Sequence, residues 1–279
     1  MAEQRRKEGT NEEEEDFDDD DEDGRKKRNI GPLAALDHSQ IKYDEFNKNF
    51  YEEASDIAKM KEDEVNKLRK ELEIQVSGFN VPKPIQNWAQ VKAFDKIMLE
   101  ELKKQNYTEP TSIQKQSIPV ALSGRDLIAI AKTGSGKTAA FLLPIMIHIM
   151  DQRELEEGEG PIAVILAPTR ELADQIYREA KKFARGYGIK SVSIFFSQSI
   201  FFSIHYITYT ICRVGAIYGG VPKHEQIKAL KAGVEIVVST PGRLIDITKG
   251  KHCPMNRVTI LVLDEADRMF DLGFGKFDV

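Results

Sequence analysis

Short apolar runs alternate with amphipathic stretches from about residue 86 onward. An apolar run of about four to eight residues between turn residues is typical of a buried strand, and apolar residues at three- and four-residue spacing are typical of a helix. This alternation predicts an α/β fold in which helices flank a parallel sheet. The predicted strands are Leu127–Ile130, Ile162–Ala167, Ser191–Phe195, Glu235–Ser239 and Val258–Leu263, and the helices begin at Lys137, Glu171 and Arg243 or lie around Ile227–Leu230.

The amino-terminal part of the chain lacks this alternation. Residues 12–23 contain eleven acidic residues and no basic one, so the segment repels itself and buries no apolar surface. Asp56–Val76 is a charged stretch with apolar residues on one side, which predicts a helix. The predicted organisation is therefore a disordered acidic and basic tail (1–35), a helical extension (36–85) and an α/β domain (86–279).

The acidic tail makes the net charge of the whole chain negative, although the remaining residues are net positive. The whole chain carries a net charge of −5, so the residues outside 12–23 together carry +6. A mildly basic folded region is compatible with binding a polyanion. The basic run Arg25–Arg28 is either a nuclear import signal or a counter-charge to the acids before it. Since two cysteines cannot form a disulfide framework, we expect an intracellular location. The expected compartment is the nucleus, with the cytoplasm as the alternative.

One segment departs from the pattern. Ser191–Cys212 contains no Asp, Glu, Lys or Arg and consists mainly of aromatic, β-branched and hydroxyl residues. Its length is sufficient to cross a bilayer, but a crossing would place parts of one sheet on two sides of a membrane. Its Ser, Thr, Gln and His residues also lower the propensity for insertion. We therefore expect no membrane contact and interpret the region near 195–215 as an atypical insert, from a retained intron or a mispredicted exon.

A glycine-rich turn follows the first predicted strand, and Leu127–Thr138 reads LIAIAKTGSGKT. Backbone N–H groups in such a turn point at phosphate oxygens, because glycine lets the phosphate approach closely. The lysine that follows reaches the β and γ phosphates, and the next hydroxyl ligates Mg²⁺. The general pattern has glycine where this chain has Ala131. The predicted phosphate-binding residues are Ala131, Lys132, Thr133, Gly134, Ser135, Gly136, Lys137 and Thr138.

An acidic pair follows the last predicted strand, where Asp264 and Glu265 come directly after Leu263. Open α/β sheets bind ligands beyond the carboxyl ends of their strands. In a phosphate-loop protein, the first carboxylate holds Mg²⁺ and the second orients or deprotonates the attacking water. A solvated helix start is the alternative interpretation of these four residues, Asp264–Asp267. The preceding strand and the glycine-rich turn favour the interpretation of Asp264 and Glu265 as catalytic carboxylates.

Loops after two other predicted strands carry hydroxyl and guanidinium groups: Thr169 and Arg170 after one, Thr240 and Arg243 after the other. Such groups beside glycine N–H donors suit phosphates, and they hold a nucleic acid by its backbone without sequence preference. For either arginine alone, a structural ion pair is the alternative.

Several segments resemble motifs of the DEAD-box RNA helicases and occur along the chain in the order that the family has. Tyr107–Gln114 is similar to the adenine-reading Q motif, with Phe94 or Trp88 as its upstream aromatic residue. GSGKT and DEAD resemble the ATP-site motifs, and APTRELA, Gly219–Gly220 and TPGR resemble the RNA-contacting ones. The resemblance extends from about Leu36 to Gly273. The leader LDHSQIKYDEFNKNFY resembles the branch of the family associated with pre-mRNA splicing.

The resemblance implies the first RecA-like lobe of a P-loop NTPase, with ATP, Mg²⁺ and RNA as ligands and spliceosomal proteins as partners. It implies adenine contacts by Phe94, Tyr107 and Gln114. The implied catalytic residues are Lys137, Asp264 and Glu265, the implied metal ligands are Thr138, Asp264 and Glu265, and the implied RNA-binding residues are Pro168, Thr169, Arg170, Gly219, Gly220, Thr240, Pro241, Gly242 and Arg243.

The family also implies parts that this sequence does not contain. A strand with a Ser-Ala-Thr motif lies between the phosphate-loop strand and the DEAD strand, and a second lobe supplies arginines that complete the ATPase site. We therefore expect a lobe incomplete at its carboxyl-terminal end, with weak nucleotide binding and no unwinding. The alternatives are a short isoform that acts as a non-catalytic RNA- or partner-binding module, and a phosphate-loop ATPase that acts on DNA.

Overall fold

The structure, a computed structural model, describes residues 37–187, 213–220 and 222–273. The acidic tail, the basic run Arg25–Arg28 and the predicted strand Ser191–Phe195 lie outside these residues. The strands are β1 (Ala163–Leu166), β2 (Val214–Ile217), β3 (Ile236–Ser239) and β4 (Ile260–Leu263). The helices are α1 (Ser55–Ala58), α2 (Glu62–Glu71), α3 (Lys96–Lys104), α4 (Ser112–Leu122), α5 (Lys137–Met150), α6 (Arg170–Gly186), α7 (Lys223–Lys231), α8 (Pro241–Lys249) and α9 (Ala266–Asp271).

The four strands form one sheet in the order β2-β3-β1-β4, and every described pair is parallel. β3 is buried along its whole length and β1 along most of it, whereas β4 lies at an edge and alternates between half-buried and exposed residues. Helices α5 and α6 bury apolar side chains in the main core with β1 and β3. The predicted α/β fold with a parallel sheet is confirmed.

The strand predicted at Leu127–Ile130 is wrong. These residues belong to no strand, and the side chains of Ile128 and Ile130 are 91% and 92% exposed. An extended segment becomes a strand only when a neighbour accepts its backbone hydrogen bonds. Within the described residues, β4 pairs with β1 alone, and no strand lies beside residues 127–130. The apolar pattern is therefore that of a strand, but its pairing partner is not among these residues.

The sequence pattern also missed β2. Val214–Ile217 contains glycine and alanine, so its strand signal is weak. Hydrogen bonds to Arg213 fix its position: the backbone N–H groups of Glu235 and Ile236 both donate to the Arg213 carbonyl, at 2.9 and 3.0 Å. Consequently the strand that leads into Gly219 and Gly220 begins directly after the uncharged segment.

The extension contains two helices where the sequence predicts one over Asp56–Val76. Lys83 explains the break, because its Nζ donates to the carbonyls of Ile57, Ala58 and Met60 at 3.0–3.2 Å. A carbonyl that accepts from Lys83 turns away from the continuing helix. The Glu64 carboxylate then accepts from the backbone N–H of Lys61 and starts α2.

Within the described residues, no helix combines the length and the apolar character that crossing a bilayer requires. The uncharged segment Ser191–Cys212 lies outside those residues.

Candidate functional site

The carboxyl ends of all four strands meet at one edge of the sheet. The parallel register aligns Leu166 with Ser239 and with Leu263, and it aligns Ile217 with Ser239. The residues that follow these strands are therefore neighbours, although they are far apart in the sequence. This edge brings together the segments that begin at Ala167, Tyr218, Thr240 and Asp264.

The glycine-rich turn forms the entry to α5. Gly136 precedes the first residue of the helix and has a φ of +95°, a left-handed conformation that favours glycine. A Cβ at Gly136 would also lie only 2.5 Å from Nε2 of Gln114. The Lys137 ammonium group donates to the carbonyls of Ala131 and Lys132, at 2.5 and 3.1 Å. The turn and its lysine thus have the compact shape expected of a phosphate-binding loop.

Electrostatics connect this loop with the acidic pair. The pKa of Asp264 is raised by burial and by the neighbouring Glu265 charge, and the Lys137 ammonium offsets only part of that rise. Lys137 is therefore close enough to act on Asp264, although 127 positions separate them. The backbone N–H of Asp264 donates to the Leu166 carbonyl at 2.9 Å, which fixes the carboxylate at the end of β4. The structure brings the two predicted halves of the site together.

Glu265 has a left-handed backbone, with a φ of +51°, at the residue before α9. A non-glycine residue in this region carries strain of about 1–3 kcal/mol, and such strain is concentrated at functional sites. The Arg268 guanidinium donates to the Glu265 carboxylate at 2.9 Å. Sequence reasoning missed Arg268, although its three-residue spacing from Glu265 is the spacing of side-chain pairs on a helix. Arg268 is therefore a direct partner of this carboxylate.

Gln114 is fully buried and connects the Q-motif-like segment with the phosphate loop. Its Oε1 accepts from the backbone N–H of Thr111 at 2.9 Å, and its Nε2 donates to the Gly136 carbonyl at 3.0 Å. The first bond belongs to a capping box that starts α4. Gln114 therefore positions the loop in this structure, and its contact with adenine stays a prediction.

The aromatic residues expected near adenine pack against the protein itself. Phe94 and Trp88 are both buried, and their rings stack with centroids 6.2 Å apart. Tyr107 packs on Phe183 of α6, and its hydroxyl donates to Glu179 at 2.8 Å. Burial and this carboxylate raise the pKa of Tyr107. The structure thus gives Tyr107 a packing role, and adenine contacts by Phe94 and Tyr107 stay predictions.

Arg170 joins two of the predicted RNA-contacting segments. It is the first residue of α6, next to Thr169, whose hydroxyl accepts from the Leu172 N–H at 3.3 Å. Arg170 Nη1 donates to the Gly219 carbonyl at 3.4 Å. Gly220 has a φ of +76°, and a Cβ there would collide with the Arg170 guanidinium. Glycine at this position leaves the space that Arg170 occupies.

The TPGR segment forms the first turn of α8. Thr240 precedes the helix, Pro241 is its first residue, and the Thr240 N–H donates to the Ile217 carbonyl at 3.1 Å. Arg243 Nη1 is buried, and among the described residues it has no hydrogen-bond partner. A buried guanidinium N–H without a partner is costly, and a water or a ligand that reached this atom would relieve that cost. The ion pair considered as the alternative for Arg243 is not seen within the described residues.

Comparison with known proteins agrees with this arrangement. The DEAD/DEAH box helicase family profile matches residues 111–277, more than half of the chain. The chain belongs to this family. This match includes the phosphate loop, both predicted RNA-contacting helix starts and the acidic pair.

Relatives in plants and animals are similar to this DEAD-box chain over most of its length. DEAD-box ATP-dependent RNA helicase 24 of Oryza sativa subsp. japonica is 54% identical over 89% of this chain, which is 29% of that protein. ATP-dependent RNA helicase DDX42 of Gallus gallus is 50% identical over 89% of this chain and 24% of that protein. The chain therefore spans less than a third of the length of these curated relatives.

Solved structures show the same RecA-like lobe. The yeast DEAD-box splicing factor Prp28 is 34% identical with a TM-score of 0.69, over 78% of this chain and 46% of that one. The RNA helicase Prp28 from Chaetomium thermophilum, solved with ADP, is 37% identical with a TM-score of 0.65, over 80% of this chain and 49% of that one.

Proposed function

We propose that this chain is the ATP-binding first lobe of a DEAD-box RNA helicase, in which ATP binding and hydrolysis are coupled to RNA binding and remodelling. The observation that carries the proposal is the proximity of Lys137 to Asp264: burial and Glu265 raise the pKa of this carboxyl group, and the charge of Lys137 opposes that rise. A phosphate-binding lysine and a half-buried carboxylate at one sheet edge are the two groups that a magnesium–triphosphate site needs. The DNA alternative has no comparable support, because the relatives are named as RNA helicases.

Magnesium fits the donor set of this edge. Mg²⁺ prefers oxygen ligands and is bound through one or two carboxylates together with substrate phosphates. The Thr138 hydroxyl at the start of α5 and the Asp264 carboxylate are such donors, and Glu265 directly follows Asp264 in the sequence. The bound ion would neutralise phosphate charge. In this proposal Glu265, which accepts a hydrogen bond from Arg268, orients and deprotonates water, and Lys137 binds phosphate.

RNA contacts are proposed along the same edge. Arg170, Arg243 and the backbone around Gly219 and Gly242 offer guanidinium and N–H donors to phosphate and 2′-hydroxyl oxygens. Since these donors follow β1, β2 and β3 in register, they line one continuous surface. Donors of this kind bind a nucleic-acid backbone without sequence preference.

A Gly220→Ala substitution tests the RNA surface. The added methyl group displaces the Arg170 guanidinium and adopts an unfavourable positive φ. We expect RNA affinity to fall about tenfold, the value of one charged hydrogen bond, in a fluorescence anisotropy titration with single-stranded RNA. Gly158→Ala is the matched control, because Gly158 has a φ of +82° with open space around it. That control introduces the same strain without displacing an arginine.

Repeating the Gly220→Ala measurement in an Arg170→Ala variant shows whether the loss of RNA affinity depends on Arg170. If Gly220→Ala acts by displacing Arg170, it has no further effect on RNA affinity once Arg170 is absent. An equal loss in the presence and absence of Arg170 would contradict the proposed role of this arginine.

Hydrolysis and unwinding are proposed for a chain that also contains a second lobe. The exposed side chains of Leu261 and Leu263, 52% and 46% accessible, lie on β4, and residues 127–130 have no strand partner among the described residues. A further strand between them would complete the sheet, and arginines from a second lobe would complete the ATPase site. We propose weak ATP binding and no unwinding for the 279-residue chain.

The edge of the sheet at β4, which has no further strand among the described residues, also favours a second candidate function. This candidate is a non-catalytic RNA- or partner-binding module. The two candidates differ in nucleotide binding. If the chain binds RNA through Arg170 but shows no Mg²⁺-dependent affinity for ATP, the module is the better description. Detection of a cellular peptide that ends at Val279 would also favour the module, whereas a transcript that continues into a second lobe would favour the helicase.

We further propose spliceosomal partners and a nuclear location. Support comes from the leader sequence and from the similarity to Prp28, which is described as a splicing factor. The basic run Arg25–Arg28 is the candidate import signal.

A further inference from the structure

A segment of the amino-terminal extension, residues 44–50, crosses the lobe at the edge opposite the nucleotide site; we call it the strap. Its first attachment is to the carboxyl end of α4. The Phe50 backbone N–H donates to the Leu122 carbonyl at 2.7 Å. Gly124, two residues after the helix, is packed so tightly against the strap that a Cβ would collide with the Lys48 carbonyl.

The second attachment is to His148, in the last turn of α5. The rings of Phe46 and Phe50 meet the imidazole edge to face, with centroids 5.6 and 5.9 Å away. His148 Nε2 lies 2.6 Å from the hydroxyl of Thr259, the residue before β4. His148 is only 4% exposed. One buried imidazole thus connects the strap with both α5 and β4.

The third attachment is ionic. Asp44 lies 2.8 Å from Arg153 and 3.6 Å from Arg257. Arg257, three residues before β4, is only 4% exposed, and its main partner is Glu159 at 2.7 Å. A buried guanidinium depends on its carboxylates, since an unpaired buried charge is strongly destabilising. Asp44 therefore completes the charge balance of the segment that leads into β4.

These three elements are the ones that form the nucleotide site. At their other ends α4 carries Gln114, α5 begins with Lys137, and β4 leads into Asp264. The strap contacts the far end of each. We propose that residues Asp44, Phe46 and Phe50 are positioning residues that fix the relative placement of these elements, so that attachment of the strap sets the affinity for ATP. This inference rests on the proposed ATP site.

The physical basis is the stiffness of the connecting elements. Helix α5 spans about 20 Å and is buried in the core along most of its length, including around Pro144, so the packed core transmits a shift of its far end to Lys137. Phosphate and metal ligands lose affinity when they move by about 1 Å. Releasing the strap removes the contacts of Phe46 and Phe50 with His148 and of Asp44 with Arg257, and it leaves the direct bond between His148 and Thr259 without that support. The distance between Lys137 and Asp264 then varies more.

The variant Asp44→Ala/Phe46→Ala tests the proposal. Both side chains are partly exposed, 51% for Asp44 and 41% for Phe46, so the lobe core is left intact. We expect the Kd for a fluorescent ATP analogue with Mg²⁺ to rise about fivefold, the lower end of typical coupling between sites. Glu52→Ala/Phe79→Ala is the matched control, because Glu52 forms a surface ion pair with Lys92 and Phe79 is 81% exposed.

A reciprocal measurement separates positioning from mere stabilisation. If the strap favours the ATP-binding arrangement, ATP must favour the attached strap by the same factor. We expect ATP to slow hydrogen exchange at the backbone amides of residues 46–50 in the wild-type chain. If the double variant bound ATP with wild-type affinity and ATP left the hydrogen exchange of residues 46–50 unchanged, this inference would be overturned. The proposed function would not be affected by that result. Absence of ATP binding by the wild-type chain would overturn the proposed function itself.

Discussion

Replacing Lys137 with alanine is expected to weaken Mg²⁺–ATP binding by about ten- to a hundredfold. Lys137 is the first residue of α5, and its ammonium group already lies inside the turn, on the carbonyls of Ala131 and Lys132. A charge-assisted hydrogen bond to phosphate contributes about 1.5–3 kcal/mol, which corresponds to this range. Equilibrium titration with a fluorescent ATP analogue measures the change.

Lys67→Ala is the control for that measurement. Lys67 lies on α2, and its side chain is 78% exposed, so its removal changes the net charge equally at a distant position. If both substitutions reduced affinity by the same factor, the effect would reflect net charge, and a specific phosphate contact by Lys137 would be excluded.

Glu265→Gln is expected to abolish ATP hydrolysis while affinity stays within about twofold of wild type. The carboxylate is proposed to act on water and not on phosphate, so its loss removes an interaction made in the transition state alone. Glutamine keeps the size of the side chain but cannot accept a proton from water. The measurement is RNA-stimulated phosphate release, in the protein extended through the second lobe, alongside nucleotide titration.

The matched control is Glu71→Gln, the same chemical change at the end of α2. Loss of affinity and rate together in Glu265→Gln would place Glu265 in nucleotide binding. A rate near that of the wild type would remove Glu265 from the proposed mechanism.

The sequence predicted the sheet and the site better than the pairing of individual strands. Three of the predicted strands, now β1, β3 and β4, occur because each is a dense run of β-branched and other apolar residues. The run at Leu127–Ile130 has the same composition and remains unpaired in the structure. Local composition records a preference for extended backbone, whereas a strand also requires a neighbour, which composition does not reveal.

The phosphate loop and the acidic pair could be predicted because their spacing is local. Each motif lies within a few consecutive residues, and both follow apolar runs. Contacts between distant segments could not be predicted in this way. The bond from Gln114 to Gly136, the pairing of Arg170 with Gly219 and the burial of His148 beneath the strap depend on how helices pack, which a single sequence does not specify.

The account depends most on Lys137 and Asp264 binding one nucleotide together, and a double-mutant cycle on Mg²⁺–ATP affinity tests this directly. Asp264→Asn is the second substitution of the cycle, paired with Lys137→Ala. Two groups that bind the same magnesium–triphosphate should show a coupling of about 0.5–3 kcal/mol, with the double variant less impaired than the sum of its parts. Additive losses within about 0.3 kcal/mol would show two independent sites and would contradict the proposed function.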